Sequence, residues 1–369
     1  METPEGWHKN KIREVAKIDV GRDLLDERFS KDKCKQYCFP VYSNTVEQFG
    51  HYGFYDTPEY TAESVTVVAR GIGLGTAFAR TQPFGAIGRL LVLSPIGHAF
   101  DVNFLADYLN NNFRLFYESG GIPQLPGKTL GSYTVILPPL PEQKQIAGIL
   151  GTWDKAIATM EALIAASEVQ KKALMQQLLT GKRRLPGFEG EWKEVSLIDI
   201  AEITTGGSNR EDSGLVGAYV FFDRSTDVRR SARFLFDTEA VIVGGEGQEF
   251  VPKYYEGKFD LHQRAYAVHT SEKFSIRYLY YIIHYKRHLL RRFAVGSTVA
   301  SLRMGTFSKI PVPEISLDEQ KGIVSILDNN SIEIQALQAK LQALKTEKTA
   351  LMQQLLTGKR RVKLTEAAA

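Results

Sequence analysis

The chain has 369 residues, 43% hydrophobic and 24% charged, a globular composition with apolar material for two or three cores. Its 46 basic and 42 acidic residues leave a formal charge of +4, too mild for a protein that coats nucleic acid indiscriminately but permissive of DNA binding. No stretch approaches the roughly 18 apolar residues of a membrane helix, and METPEGWHKNK lacks the apolar centre of a secretory signal, so a soluble, cytoplasmic protein is expected.

Residues 1–140 read as a first globular segment. Cys34 and Cys38 form a lone C-x-x-x-C pair, short of the four ligands of a structural zinc site, so no metal is expected there. β-rich runs at Ser64–Ala69 and Arg89–Leu93 are bounded by glycines. Between them, Gly71, Gly73 and Gly75 fall short of G-x-G-x-x-G and precede no helix signal; a strand-to-strand turn is expected rather than a nucleotide loop. An amphipathic helix at Asn103–Phe116 and a last strand at Tyr133–Leu137 complete the segment.

Residues 141–181 read as one long helix. Pro141 suits its first turn and Gly181 its C-terminal cap. Ile146, Ile149, Trp153, Ile157, Met160 and Ile164 fall at the three- and four-residue steps of a coiled-coil seam. Residues 182–315 form a linker and a second globular segment, with strands at Ala240–Val243 and Ala265–Val268, a helix at Ile276–Arg292 and a last strand at Phe307–Val312. A second long helix fills 316–360, with Ser316 and Glu319 spaced as a capping box, Gly358 as the C-terminal cap, and Ile323, Ile326, Ile334, Leu337, Leu341 and Leu344 as its seam. Residues 361–369 are a tail.

The long helices are near copies. ALMQQLLTGKRR stands at 173–184 and again at 350–361, an offset of 177, and at that offset 22 of the 43 positions in 142–184 are identical. A weaker match at offset 185 aligns Trp7, Ala16, Ile18 and Gly21 with Trp192, Ala201, Ile203 and Gly206. The halves share an opening, diverge, and converge again. Two long helices with matching apolar stripes must bury them. The expected fold is therefore α+β: two globular mixed α/β domains separated by an antiparallel coiled coil, with an internal pseudo-two-fold repeat. Asn330, at the repeat position of Trp153, and Lys171 with its counterpart Lys348 interrupt the seam and are candidates for fixing register.

Catalytic signatures are missing. There is no P-loop, nucleophile elbow or H-E-x-x-H, and no Asn/Asp-Pro-Pro-aromatic tetrapeptide of amino-methyltransferases, so no catalytic residue is expected. Candidate DNA contacts are basic and amide side chains: Lys31, Lys33, Arg70, Arg80, Gln82 and Arg89 in the first half. In the second half they are Arg229, Arg230, Arg233, Lys253, Tyr254, His262, Gln263, Arg264, Ser297, Thr298 and Arg303. For each, a solvated surface charge is the competing reading. A stand-alone DNA-binding protein with an internal dyad fits the same pattern.

Two divergent segments, each followed by a helix opening E-Q-K-x-I and closing L-L-T-G-K-R-R, resemble the specificity subunits of type I restriction–modification systems over nearly the whole chain. The resemblance implies that the divergent segments are target recognition domains, each reading half of a split, non-palindromic DNA site. It implies that the paired helices set the spacing and seat two modification (methyltransferase) subunits, with restriction subunits joining outside these. S-adenosylmethionine, ATP and Mg2+ would then belong to the partner subunits, and none to this chain.

Overall fold

The computed structural model describes residues 3–113, 123–225, 227–269, 271–296 and 298–363. The chain divides into two compact units: unit 1 is residues 1–160 with 340–369, and unit 2 is residues 161–339. The long helices run Leu140–Leu178 and Leu317–Leu355, each 39 residues, and each contributes a segment to both units.

In unit 1, an antiparallel sheet takes the order Ala16–Val20, Leu91–Pro95, Ser64–Val67, Ala77–Arg80. The glycine-rich stretch is the expected turn between its last two strands, with Gly71, Gly73 and Gly75 all at positive φ. A smaller sheet orders Phe29–Ser30, His51–Tyr55, Phe39–Tyr42 and Gly85–Ala86. The helix Val102–Asn112 is capped by Asp101, whose carboxylate accepts from the backbone N–H groups of Asn103 and Phe104. The expected end of this helix at Phe116 lies outside the described residues.

In unit 2, seven strands form one sheet in the order 202–205, 265–269, 236–244, 253–261, 219–222, 229–231, 213–214. The helix Ile276–Phe293, capped by Ser275, buries Tyr278, Leu279, Ile282 and Ile283. The expected strand at Phe307–Val312 is instead a helical turn, Met304–Phe307, followed by a strand at Pro311–Glu314. Each unit also has a two-stranded ribbon that pairs the opening of its globular segment with its last strand: His8–Lys11 with Thr134–Leu137, and Lys193–Ser196 with Pro311–Glu314.

Within each unit the long-helix segments pack antiparallel. In unit 1, Ile146 and Leu150 share a core with Leu355 and Leu356, while Asp154 accepts a hydrogen bond from Lys348 at 2.5 Å. Numbers rise along one helix as they fall along the other. In unit 2, Leu178 and Met175 share a core with Ile323 and Leu327. Of the expected seam, Ile146, Ile164, Ile323 and Ile334 are buried, and Ile149, Trp153, Ile157, Met160, Leu337, Leu341 and Leu344 are half-buried. Ile326 is a correction: it is 37% exposed, and Leu327 takes the core position beside it. Asn330 is buried in the seam with no hydrogen-bond partner for its Oδ1.

The duplicated ends of the helices lock the units. In unit 2, Arg184 donates through Nε and Nη2 to Glu319, 2.6 and 2.9 Å, and through Nη1 to the Gly190 carbonyl. In unit 1, Arg361 donates through Nε and Nη2 to Glu142, 2.7 and 2.8 Å, and through Nη1 to the Glu5 carbonyl. The pairs obey the offset of 177, and Glu5 and Gly190 obey the offset of 185. Both carboxylates are nearly inaccessible, at 3% and 2% exposure. The Ser316 capping box is accordingly half formed: Ser316 Oγ accepts from the Glu319 N–H, but the Glu319 carboxylate is taken by Arg184. Gly181 and Gly358 both sit at φ 70°, with Trp192 and Trp7 against them.

Candidate nucleic-acid interface

In unit 1 the candidates separate by burial. Lys31, Lys33, Arg70, Gln82 and Arg89 are exposed. Lys31 donates to the Tyr52 carbonyl and lies 4.0 Å over the Tyr52 ring, so its reach is partly spent on the protein. Arg89 holds a left-handed backbone conformation, φ 65°, in the turn before Leu91–Pro95. Arg80 is removed from the surface set: it is 6% exposed, donates to Thr66 Oγ1 and the Phe49 carbonyl, and stacks 3.5 Å over Tyr42. A guanidinium so enclosed supports the fold and cannot reach a groove.

In unit 2 several candidates are also structural. Arg230 donates to the carbonyls of Gly217 and Ala218, holding the turn before Tyr219–Phe222. Arg233 donates to Ser208 Oγ and Asp212 and lies 3.8 Å from the fully buried Asp260, yet its side chain stays 56% exposed and it remains in the surface set. Tyr254 donates its hydroxyl to Glu239 and is covered by Arg277. Lys253 donates to the Ser225 carbonyl, and burial lowers its pKa. Arg229 is half-buried near the Ser213 carbonyl. Thr298 and Arg303 are exposed; Ser297 lies outside the described residues.

His262, Gln263 and Arg264 are brought together with residues far away in sequence. Parallel pairing of Phe222 with Leu261 carries Arg224 to the mouth of the strand that Arg264 precedes. Antiparallel pairing of Gly244 with Ala265 carries Glu246 there too. Gly245 is required at this crossing, because a Cβ would stand 2.3 Å from the Arg264 carbonyl. The result is a cavity of about 400 Å³ lined by Asn209, Arg210, Glu211, Asp223, Arg224, His262, Gln263 and Arg264. Glu246 accepts Arg264 Nη1 at 2.7 Å and also accepts Arg224 Nη1, while both arginines stay exposed, at 62% and 52%. Gln263 Nε2 donates to Asn209 Oδ1 at 2.6 Å. His262 Nδ1 accepts the Arg264 backbone N–H, and burial lowers the pKa of its ring, countered by Asp223.

Sequence reasoning missed Arg224, Arg210, Asn209 and Glu246, since only sheet register gathers them. The acid that claims Arg264 is Glu246, while Asp260, nearer in sequence, is fully buried and accepts from Ser208 and Ser231. Among the described residues no group of three or more His, Cys, Asp or Glu is placed to hold a metal ion, and no helix is long and apolar enough to cross a membrane.

Known proteins share this plan. The chain is 26% identical over 279 residues to the MjaVIII type I restriction enzyme specificity subunit of Methanocaldococcus jannaschii, covering 66% of each chain. It is 29% identical to the EcoDI specificity subunit of Escherichia coli over 41% of this chain and 34% of that one. The chain thus spans about two thirds and one third of these relatives. A type I specificity subunit, S.MpnORF507P of Mycoplasma pneumoniae, described as putative, is 25% identical over 86% of this chain and 87% of its own. The crystal structure of the S subunit of a type I system from M. genitalium superposes with a TM-score of 0.70 at 15% identity, covering 99% of this chain and 98% of that one. The type I restriction modification DNA specificity domain matches twice, over residues 4–168 and 189–346, once for each half of the repeat. With two such domains on a duplicated helical frame, the chain belongs to the type I restriction–modification specificity family.

Proposed function

We propose that this chain is the non-catalytic DNA-reading subunit of a type I restriction–modification enzyme, each unit reading one half of a split, non-palindromic site. The observation that carries this reading is the contrast between frame and surface. Identical Arg–Glu locks fix two recognition domains whose exposed polar residues differ, so a symmetric scaffold presents two different readers. The frame also repeats exposed residues that the locks do not use: Gln176, Lys182 and Arg183 recur as Gln353, Lys359 and Arg360. Two matching surfaces suit two copies of one partner, which supports docking of two modification subunits. In this reading restriction subunits join that assembly, and S-adenosylmethionine, ATP and Mg2+ act on the partners. The protein works in the cytoplasm, where the chromosome lies.

Adenine methylation profiles of cells with and without the gene test this. The expected difference is one bipartite motif with unequal halves. Identical profiles, or a palindromic motif, would sink the proposal.

A further inference from the structure

Arg224 and Arg264 share one carboxylate at the mouth of the unit 2 sheet, and that arrangement suits a base edge better than a phosphate. Glu246, 14% exposed, takes one N–H from each guanidinium. Among the described residues neither arginine has another side-chain hydrogen bond, so most of their donors face solvent. Two exposed arginines tied to a half-sunken acid have fixed directions, and fixing them beforehand lowers the entropy lost on binding. The acid also leaves the trio with a net charge of only +1. A phosphate approaching these arginines would come up against the Glu246 carboxylate, whereas a neutral base edge would not.

Guanine offers O6 and N7 as two acceptors in the major groove, which match two parallel N–H groups of one arginine; adenine puts an amino donor beside N7, where a guanidinium has nothing to accept it. Building on the DNA-reading role proposed above, we infer that Arg224 and Arg264 are specificity-determining residues that read guanine in the half-site taken by unit 2, with Glu246 as their positioning residue. The Gln263–Asn209 amide pair flanks them. Its free amide edges complete a surface of directed donors and acceptors rather than of bulk positive charge.

The test uses the full chain assembled with its modification subunits. Methylation motifs and binding to single-base variants of the cognate site are measured for wild type, Arg264→Ala, Arg264→Lys, Arg224→Ala and Glu246→Gln, beside a melting curve for each. The wild-type motif should contain at least two required G·C pairs in one half. Arg264→Ala and Arg224→Ala should each lose roughly 5- to 150-fold of the discrimination at one such pair, leaving the other half-site intact. Arg264→Lys should lose it as well while keeping the salt dependence, because an ammonium retains charge but not the fork. Glu246→Gln should blur both positions together. Equal weakening on every sequence with a flatter salt dependence would make these arginines phosphate contacts and overturn the inference, as would a motif with fewer than two G·C pairs in each half or unchanged discrimination in folded variants. If the wild-type assembly yielded no bipartite motif at all, the DNA-reading role itself would fall, an outcome distinct from these.

Discussion

Arg184→Ala should be the most damaging single substitution at the frame of unit 2. Arg184 makes two charged hydrogen bonds to Glu319, two more to the carbonyls of Gly190 and Glu189, and lies over the Trp192 ring. Its partner is 2% exposed. Truncating the arginine leaves a buried carboxylate facing no cation, a change that costs about 3–5 kcal/mol, whereas an exposed pair would cost under about 1. For a unit of this size, about 1 kcal/mol moves the melting temperature by roughly 2–4 °C, so a drop of about 6–20 °C is expected in the transition of unit 2. Adding Glu319→Leu to Arg184→Met should recover much of that loss, since no buried charge is left unpaired. Arg361→Ala should repeat the effect in unit 1, somewhat reduced because Arg361 is 44% exposed against 22% for Arg184. Calorimetric melting of Arg184→Ala, Arg361→Ala, the double variant and its two singles decides the matter. A loss below about 1 kcal/mol for Arg184→Ala, or a double variant worse than the sum of its singles, would refute the reasoning that the duplicated Arg–Glu pairs lock the two units.

Three further outcomes are expected. Gly181→Ala should cost about 1–2 kcal/mol through its left-handed backbone, and Gly358→Ala more, because its Cβ would stand 2.4 Å from Pro4 Cγ; chemical denaturation of both variants ranks them. Asp107 is pushed up to about 6 by burial, countered by Lys348, from an ordinary 3.8. The folded chain therefore binds that proton more tightly than the unfolded one, and this group's contribution to stability, full below about pH 4, is lost as pH rises through 6. Asp107→Asn should stabilise unit 1 by about 1–3 kcal/mol at pH 7–8 and leave it unchanged at pH 4, read from melting curves at both pH values. Inserting four residues into each long helix, after Met160 and before Lys340, should lengthen the unread spacer of the methylation motif and leave both half-sites unchanged; altered half-sites would refute a spacing role for the helices.

The sequence by itself determined the frame. A twelve-residue identity, a three- and four-residue apolar period, Ser316 as a cap and Gly181 and Gly358 as stops are all local signals, and local signals survive in one dimension. The helices accordingly run 140–178 and 317–355, close to where the pattern put them. The tertiary structure alone decided which surface residues are available. Arg80, Arg230 and Tyr254 look like surface groups in the chain, yet each is claimed by a carbonyl, hydroxyl or carboxylate that only folding brings near. Glu319 reads as half of a capping box and becomes the anchor of Arg184, 135 residues away. Arg224, Glu246 and Arg264 meet only because three strand ends share one sheet. Register and burial are sums over distant pairings, so neither side chain of such a pair announces the other along the chain.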